Sequence, residues 1–169
     1  LARSSAASDV YKRQGHLPER RLRPRLNARG DMRIVVIDDS ATVCAALRKI
    51  LQSIGLNVRV AASAEDGLEM ILADRPDLIF LDIVLPKMNG FSALRVLRRN
   101  PLTKDIPVIM ISGNEQATEQ FFGSAIGADD FMKKPFSRLE VFSRMEHLLD
   151  EQHIPRRRAP LTQPAPLGH

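Results

Sequence analysis

The stretch DLIFLD, residues 77–82, decides how this chain folds. Four consecutive apolar residues between two aspartates are too few for a buried helix and too uniform for a strand with one wet face. They read as a strand covered on both sides, as in a parallel sheet. Similar runs lie at 33–38 and 107–112, with shorter ones at 57–62 and 129–133.

Helix signals fill each gap. Ser40 can cap a helix that carries Val43, Leu47, Ile50, Leu51 and Ile54 at helical spacing, with Gly55 placed to end it. Ser63 can cap a second that carries Leu68, Ile71 and Leu72 and stops before Pro76. A third starts after Gly90 and runs to about Arg99, and a fourth spans 115–126, followed by Gly127. Ser137 and Glu140 form a capping box for a fifth, which continues through Phe142, Met145 and Leu149. No proline interrupts a helix. Five strand–helix repeats in one small domain predict an α/β fold, a doubly wound open sheet of five parallel strands.

The flanks have a different character. Residues 1–31 hold eight Lys/Arg against three Asp/Glu and show no hydrophobic period, so they read as disordered. Met32 stands directly before the first apolar run and reads as the natural start, which makes 1–31 a non-native extension. The domain is expected over 32–151. Residues 152–169, with four prolines and an Arg triplet, read as a flexible tail.

Net charge is +5 with pI near 9.9, yet residues 32–150 alone carry fourteen Lys/Arg against sixteen Asp/Glu. The basicity belongs to the flanks, which argues against DNA binding by the folded part. No apolar run approaches the roughly 20 residues of a membrane helix. A single cysteine, Cys44, excludes an internal disulfide and suits a reducing cytoplasm, and its place on a helix reads as packing.

In an open α/β sheet, ligands bind outside the carboxyl ends of the strands, where strand order reverses. Here the first strand ends in Asp38-Asp39, the third in Asp82, the fourth in Ser112, and the fifth runs into Lys134-Pro135. Taken singly, each reads as a cap or turn residue. Taken together, they put three carboxylates, a hydroxyl and an ammonium on one edge. Crowded carboxylates raise one another's pKa unless a cation joins them, and Mg²⁺ suits hard oxygen ligands. With Mg²⁺ on Asp39 and Asp82, assisted by Asp38, a phosphate donor meets a free Asp82 oxygen, and Asp82 acts as nucleophile to form an acyl phosphate. Lys134 supplies charge to the phosphoryl oxygens and Ser112 a hydrogen bond. Neither a G-x-G-x-x-G after the first strand nor a G-x-x-x-x-G-K-[ST] occurs, so dinucleotide and P-loop folds lack their fingerprints.

Four stretches carry a family resemblance: VVIDDS, LIFLDIVLPKMNGF, PVIMISG and GADDFMKKPF. The chain resembles the response-regulator receiver domains of two-component signalling, the CheY-like superfamily, over about 32–150. That resemblance implies a flavodoxin-like strand order of 2-1-3-4-5 and a role as phosphoacceptor for Asp82. It implies an acidic Mg²⁺ pocket of Asp38 and Asp39, completed by Asp82 and the backbone carbonyl of Val84. Ser112 is then the switch hydroxyl, where Thr is commoner. Lys134 is the family's lysine, and Pro135 is the proline that follows a cis peptide bond.

Phe131, where Tyr is frequent, is the switch aromatic, with plain core packing as its alternative role. Of Phe121 and Phe122 on the fourth helix, one is expected to pack inward and the other to help form a partner surface, with core packing of both as the alternative. The resemblance further implies a sensor histidine kinase or phosphotransfer protein as donor, and a downstream protein reached through the fourth helix, fifth strand and fifth helix. A phosphorylation-dependent homodimer is a further option. The chain would be no enzyme beyond its own phosphorylation and dephosphorylation, would bind neither DNA nor membrane, and would act in the cytoplasm. The narrower likeness is to single-domain regulators of chemotaxis and twitching motility. A receiver fragment of a larger regulator or hybrid kinase, and a flavin-binding or phosphohydrolase domain, are the competing readings.

Overall fold

A computed structural model describes residue 28 and residues 30–124 and 127–158. Five strands alternate with five helices: β1 (Arg33–Ile37), α1 (Ala41–Gln52), β2 (Asn57–Ala61), α2 (Ala64–Ala73), β3 (Leu78–Asp82), α3 (Gly90–Arg99), β4 (Val108–Ser112), α4 (Glu115–Gly123), β5 (Asp130–Lys133) and α5 (Arg138–Glu146). All strand pairs are parallel and lie in the order β2-β1-β3-β4-β5. The fold class, strand order and each strand within one residue match the sequence reading. The chain leaves β1 toward one side to form β2, then returns for β3 on the other, so strand order reverses between β1 and β3.

The apolar runs divide by the two-residue period of a strand. Val35, Ile37, Ile79, Leu81, Val108 and Met110 face α2, α3 and α4 through Ile71, Phe91, Leu94, Leu97 and Phe121. Ile34, Val36, Leu78, Phe80, Ile109 and Ile111 face α1 and α5 through Leu47, Leu51, Val141, Phe142 and Met145. Two cores sandwich one sheet, and this is why β3 and β4 carry no exposed residue.

Each helix begins on a side-chain cap. Ser40, Ser63, Asn89, Asn114 and Ser137 accept from the backbone N–H three residues on. Only half of the expected Ser137–Glu140 box is present: Ser137 accepts from Glu140 N, while the Glu140 carboxylate lies 3.8 Å from Arg144.

Three expectations are corrected. The fourth helix ends at Gly123, short of Ile126, because the Ser124 hydroxyl binds the Gln120 carbonyl and its N–H turns back to Phe121; residues 125–126 lie outside the described residues. The fifth helix ends at Glu146, and Leu149 lies beyond it, bridged to Pro155. Residues 152–158, expected within a flexible tail, are folded against the domain by the Asp150 and Asp129 carboxylates. The 1–31 extension lies outside the described residues except for Ala28, Gly30 and Asp31, and Ala28 packs partly on the α1/α5 core.

Candidate functional site

The carboxyl ends of β1, β3, β4 and β5 bring the predicted side chains to one edge. Asp38 follows β1, held by its N–H to the Ala61 carbonyl, and its Oδ1 accepts from Ser40 N at 2.8 Å. The same turn orients the residue that caps α1. Asp82 closes β3, and its Oδ1 accepts from Val84 N at 3.2 Å. Asp38, Asp39 and Asp82 each place a carboxylate oxygen within 4.8 Å of the others, with Asp38 and Asp82 buried and Asp39 exposed.

Lys134 is the counter-charge. Its Nζ lies 2.7 Å from Asp38 Oδ2 and donates to Asp82 Oδ2 at 3.2 Å. The Asp38 contact is an ion pair, and Lys134 is the one charge set against the buried Asp38 Oδ2 among the ion pairs of the described residues. That oxygen and the two neighbouring carboxylates form a donor set that fits a hard divalent cation, Mg²⁺ above all. Burial pushes the Asp82 carboxyl up to about 6, Asp38 adds to the shift, and Lys134 opposes it. Burial works against charge on Lys134 too, yet the two carboxylates outweigh it and raise its pKa.

The loop after β3 is held tightly. A Cβ on Gly90 would stand 2.2 Å from the Asp82 carbonyl oxygen, so only glycine lets α3 start there. Gly90 N donates to the Ile83 carbonyl at 2.8 Å, which fixes the turn carrying Val84, half-exposed beside the site.

Ser112 closes β4 and is fully buried. Its Oγ accepts from Asn114 N at 3.0 Å, so in this structure the hydroxyl is engaged with the loop leading to α4. Lys134 N donates to the Ser112 carbonyl at 2.9 Å, and the Lys134–Pro135 bond is cis, as the family pattern implied.

Phe131, 7% exposed, stacks on Phe121 with centroids 4.9 Å apart and meets Phe122 edge-on. Phe121 is the inward member of the α4 pair and Phe122, 44% exposed, the outward one. Two contributors escaped the sequence reading. Asn114 caps α4 while receiving Ser112, a role its spacing before Ala117 could have suggested. Cys44 donates its thiol to the Asp38 carbonyl at 3.2 Å, and burial followed by the Asp38 charge raises its pKa, so it stays a protonated thiol.

Comparison with known proteins agrees with this architecture. The response regulator receiver domain family matches residues 34–146. Response regulator MprA of Mycobacterium avium is 36% identical over 118 residues, covering 70% of this chain and 51% of that protein. A response regulator structure from Chloroflexus aurantiacus is 33% identical with a TM-score of 0.64, covering 69% of this chain and 96% of that one. Chemotaxis protein CheY4 of Vibrio cholerae is 25% identical with a TM-score of 0.65, covering 70% and 99%. The receiver domain of a signal transduction histidine kinase from Syntrophus aciditrophicus is 26% identical at 0.62, covering 71% and 93%.

The fold and site are those of a five-stranded 2-1-3-4-5 sheet with three carboxylates and a lysine at its carboxyl edge. The chain belongs to the response regulator receiver domain family of two-component systems. It spans about half the length of the curated relatives it matches. No described helix is long and apolar enough to cross a membrane.

Proposed function

We propose that Asp82 accepts a phosphoryl group from a sensor histidine kinase or phosphotransfer protein, in a Mg²⁺-dependent reaction in the cytoplasm. The observation that carries this is the placement of Asp82 Oδ2 3.2 Å from Lys134 Nζ, inside a cluster of three carboxylates at the ligand edge. Asp38, Asp39, Asp82 and the Val84 carbonyl would hold the cation. Bound there, Mg²⁺ would supply positive charge to offset the crowded acids and the charge of the group in transfer.

The ionised Asp82 carboxylate attacks phosphorus, the bond from phosphorus to the donor's histidine nitrogen breaks, and that nitrogen keeps the electron pair. Lys134 offers a fixed positive charge to the phosphoryl oxygens. Ser112 redirects its hydroxyl proton from the Asn114 carbonyl, 3.3 Å away, to the new phosphoryl group, which adds roughly −1.5 to −2 charge to a buried edge. The loop that Ser112 leaves is the cap of α4, so the face built from α4, β5 and α5, with Phe131 against Phe121, is the output that a partner protein or a second copy reads.

The pathways we propose are chemotaxis, supported by the likeness to chemotaxis protein CheY4, and type IV pilus twitching motility, which rests on the sequence resemblance alone. A second reading, a receiver fragment of a larger regulator or hybrid kinase, is favoured by the half-length coverage of the MprA relatives and by the Syntrophus histidine-kinase receiver. The test is incubation with Mg²⁺ and acetyl phosphate. A hydroxylamine-labile mass gain should appear in the wild type and be absent from Asp82→Asn; a gain that survives that substitution would remove Asp82 from the role.

A further inference from the structure

At the opposite edge of the sheet, the amino-terminal one, Asp129 sits just before β5 with its side chain fully buried. Its two oxygens divide their work. Oδ2 serves the domain, accepting from Val108 N at 2.9 Å and from Arg98 Nη2 at 2.9 Å. Oδ1 serves residues beyond α5, accepting from Arg158 N at 2.8 Å and from Arg157 Nε at 3.3 Å.

The two arginines also share acceptors. Arg98 donates to the Gly127 carbonyl at 2.9 Å and to the Lys104 carbonyl at 3.1 Å. Arg157 donates to the same two carbonyls at 3.0 and 3.2 Å. One guanidinium comes from the last turn of α3, the other from a strap over 149–158. The strap is turned by Asp150, which accepts from Ile154 N at 3.0 Å and pairs with Arg156 at 2.8 Å.

Removing Arg157 would leave Asp129 paired with Arg98, so the strap can leave without stranding a bare buried charge. A second cation beside Arg98 also works against docking: burial, and then Arg157 against the pull of Asp129, bring the Arg98 guanidinium down to about 10. The arrangement is that of a seat with a removable occupant. What it holds is the connection into β5 at Gly127, between the helix that carries Phe121 and Phe122 and the strand that carries Phe131.

We infer that Asp129 Oδ1 with the Lys104 and Gly127 carbonyls is a docking site for a guanidinium, filled here by this chain's Arg157, and that its occupancy steadies residues 127–129 where they lead into β5.

The site does not depend on the chemistry at Asp82, so its test needs no phosphoryl donor. Hydrogen–deuterium exchange of the full chain would be compared for wild type, Arg157→Ala and Arg157→Lys, with a thermal melt on each. The expected result for Arg157→Ala is several-fold faster exchange confined to 127–133 and 150–158. Arg157→Lys should fall between, since an ammonium cannot reproduce the fork. Unchanged exchange at 127–133 in Arg157→Ala overturns the inference. So does a uniform rise across all strands, which would make Arg157 an ordinary contributor to global stability.

Discussion

Lys134 stands closer to Asp38 than to Asp82, with Nζ–Oδ2 distances of 2.7 and 3.2 Å. One ammonium therefore compensates two buried carboxylates and fully satisfies neither. Lys134→Ala removes that compensation, and the Asp82 carboxyl should rise further above its present value near 6. Less of it is ionised at neutral pH, and the transferred phosphoryl oxygens lose a fixed positive charge. Phosphorylation by acetyl phosphate, followed by mass spectrometry against time, should slow on the order of 100-fold. A rate within twofold of wild type would show that Lys134 does not act on the group in transfer.

The raised carboxyl has a consequence for stability in metal-free buffer. A carboxyl whose folded pKa exceeds its unfolded value binds more protons when folded, so its charge opposes folding above pH 6 and that opposition fades as pH falls toward 4. Asp82→Asn should accordingly be more stable than wild type at pH 7.5, by on the order of 1 to 3 kcal/mol. The gap should close near pH 4, as read by urea unfolding with a chelator present. Added Mg²⁺ should raise the wild-type melting temperature and leave Asp82→Asn nearly unmoved.

How far the sequence reached follows from which interactions are local. Asp38, Asp82, Ser112 and Lys134 were legible because each ends or follows a strand whose apolar run is visible, and the topology alone says which edge they share. Side-chain engagement was not legible. That Ser112 binds Asn114 N, or that Lys134 leans toward Asp38, depends on distances that no pattern encodes. Which of Phe121 and Phe122 turns inward was not legible either, because Phe131 of β5 touches both, stacking on the buried Phe121 and meeting the exposed Phe122 edge-on. The strap was missed for a different reason: Asp129 and Arg157 meet across 28 residues, and an Arg triplet among prolines carries no local sign of its partner.

Gly90 offers a test of how tightly the acceptor strand is held. In Gly90→Ala the new methyl would meet backbone, the Asp82 oxygen at 2.2 Å and Ile83 Cα at 2.8 Å, and neither can swing aside as a side chain could. The β3–α3 turn must open, at a cost of roughly 1 to 3 kcal/mol or more in unfolding free energy. Phosphorylation should fall too, because the same turn positions the Val84 amide against Asp82 Oδ1. A variant that keeps both stability and rate would mean the turn moves freely.

Phe131 and Phe122 should separate packing from output. Phe131→Ala removes a ring 7% exposed and stacked on Phe121, and its loss should cost about 3 to 5 kcal/mol in chemical denaturation. Phe122 touches the same cluster edge-on but is 44% exposed, so Phe122→Ala should cost about 1 kcal/mol or less. Its larger effect should fall on the output face, where an exposed aromatic is the kind of side chain that anchors a partner. With the phosphorylated protein, Phe122→Ala should leave the mass gain at Asp82 intact while weakening dimerisation or partner capture by about tenfold. Should both substitutions prove equally destabilising, Phe122 is part of the core and the output surface must be sought elsewhere on α4 and α5.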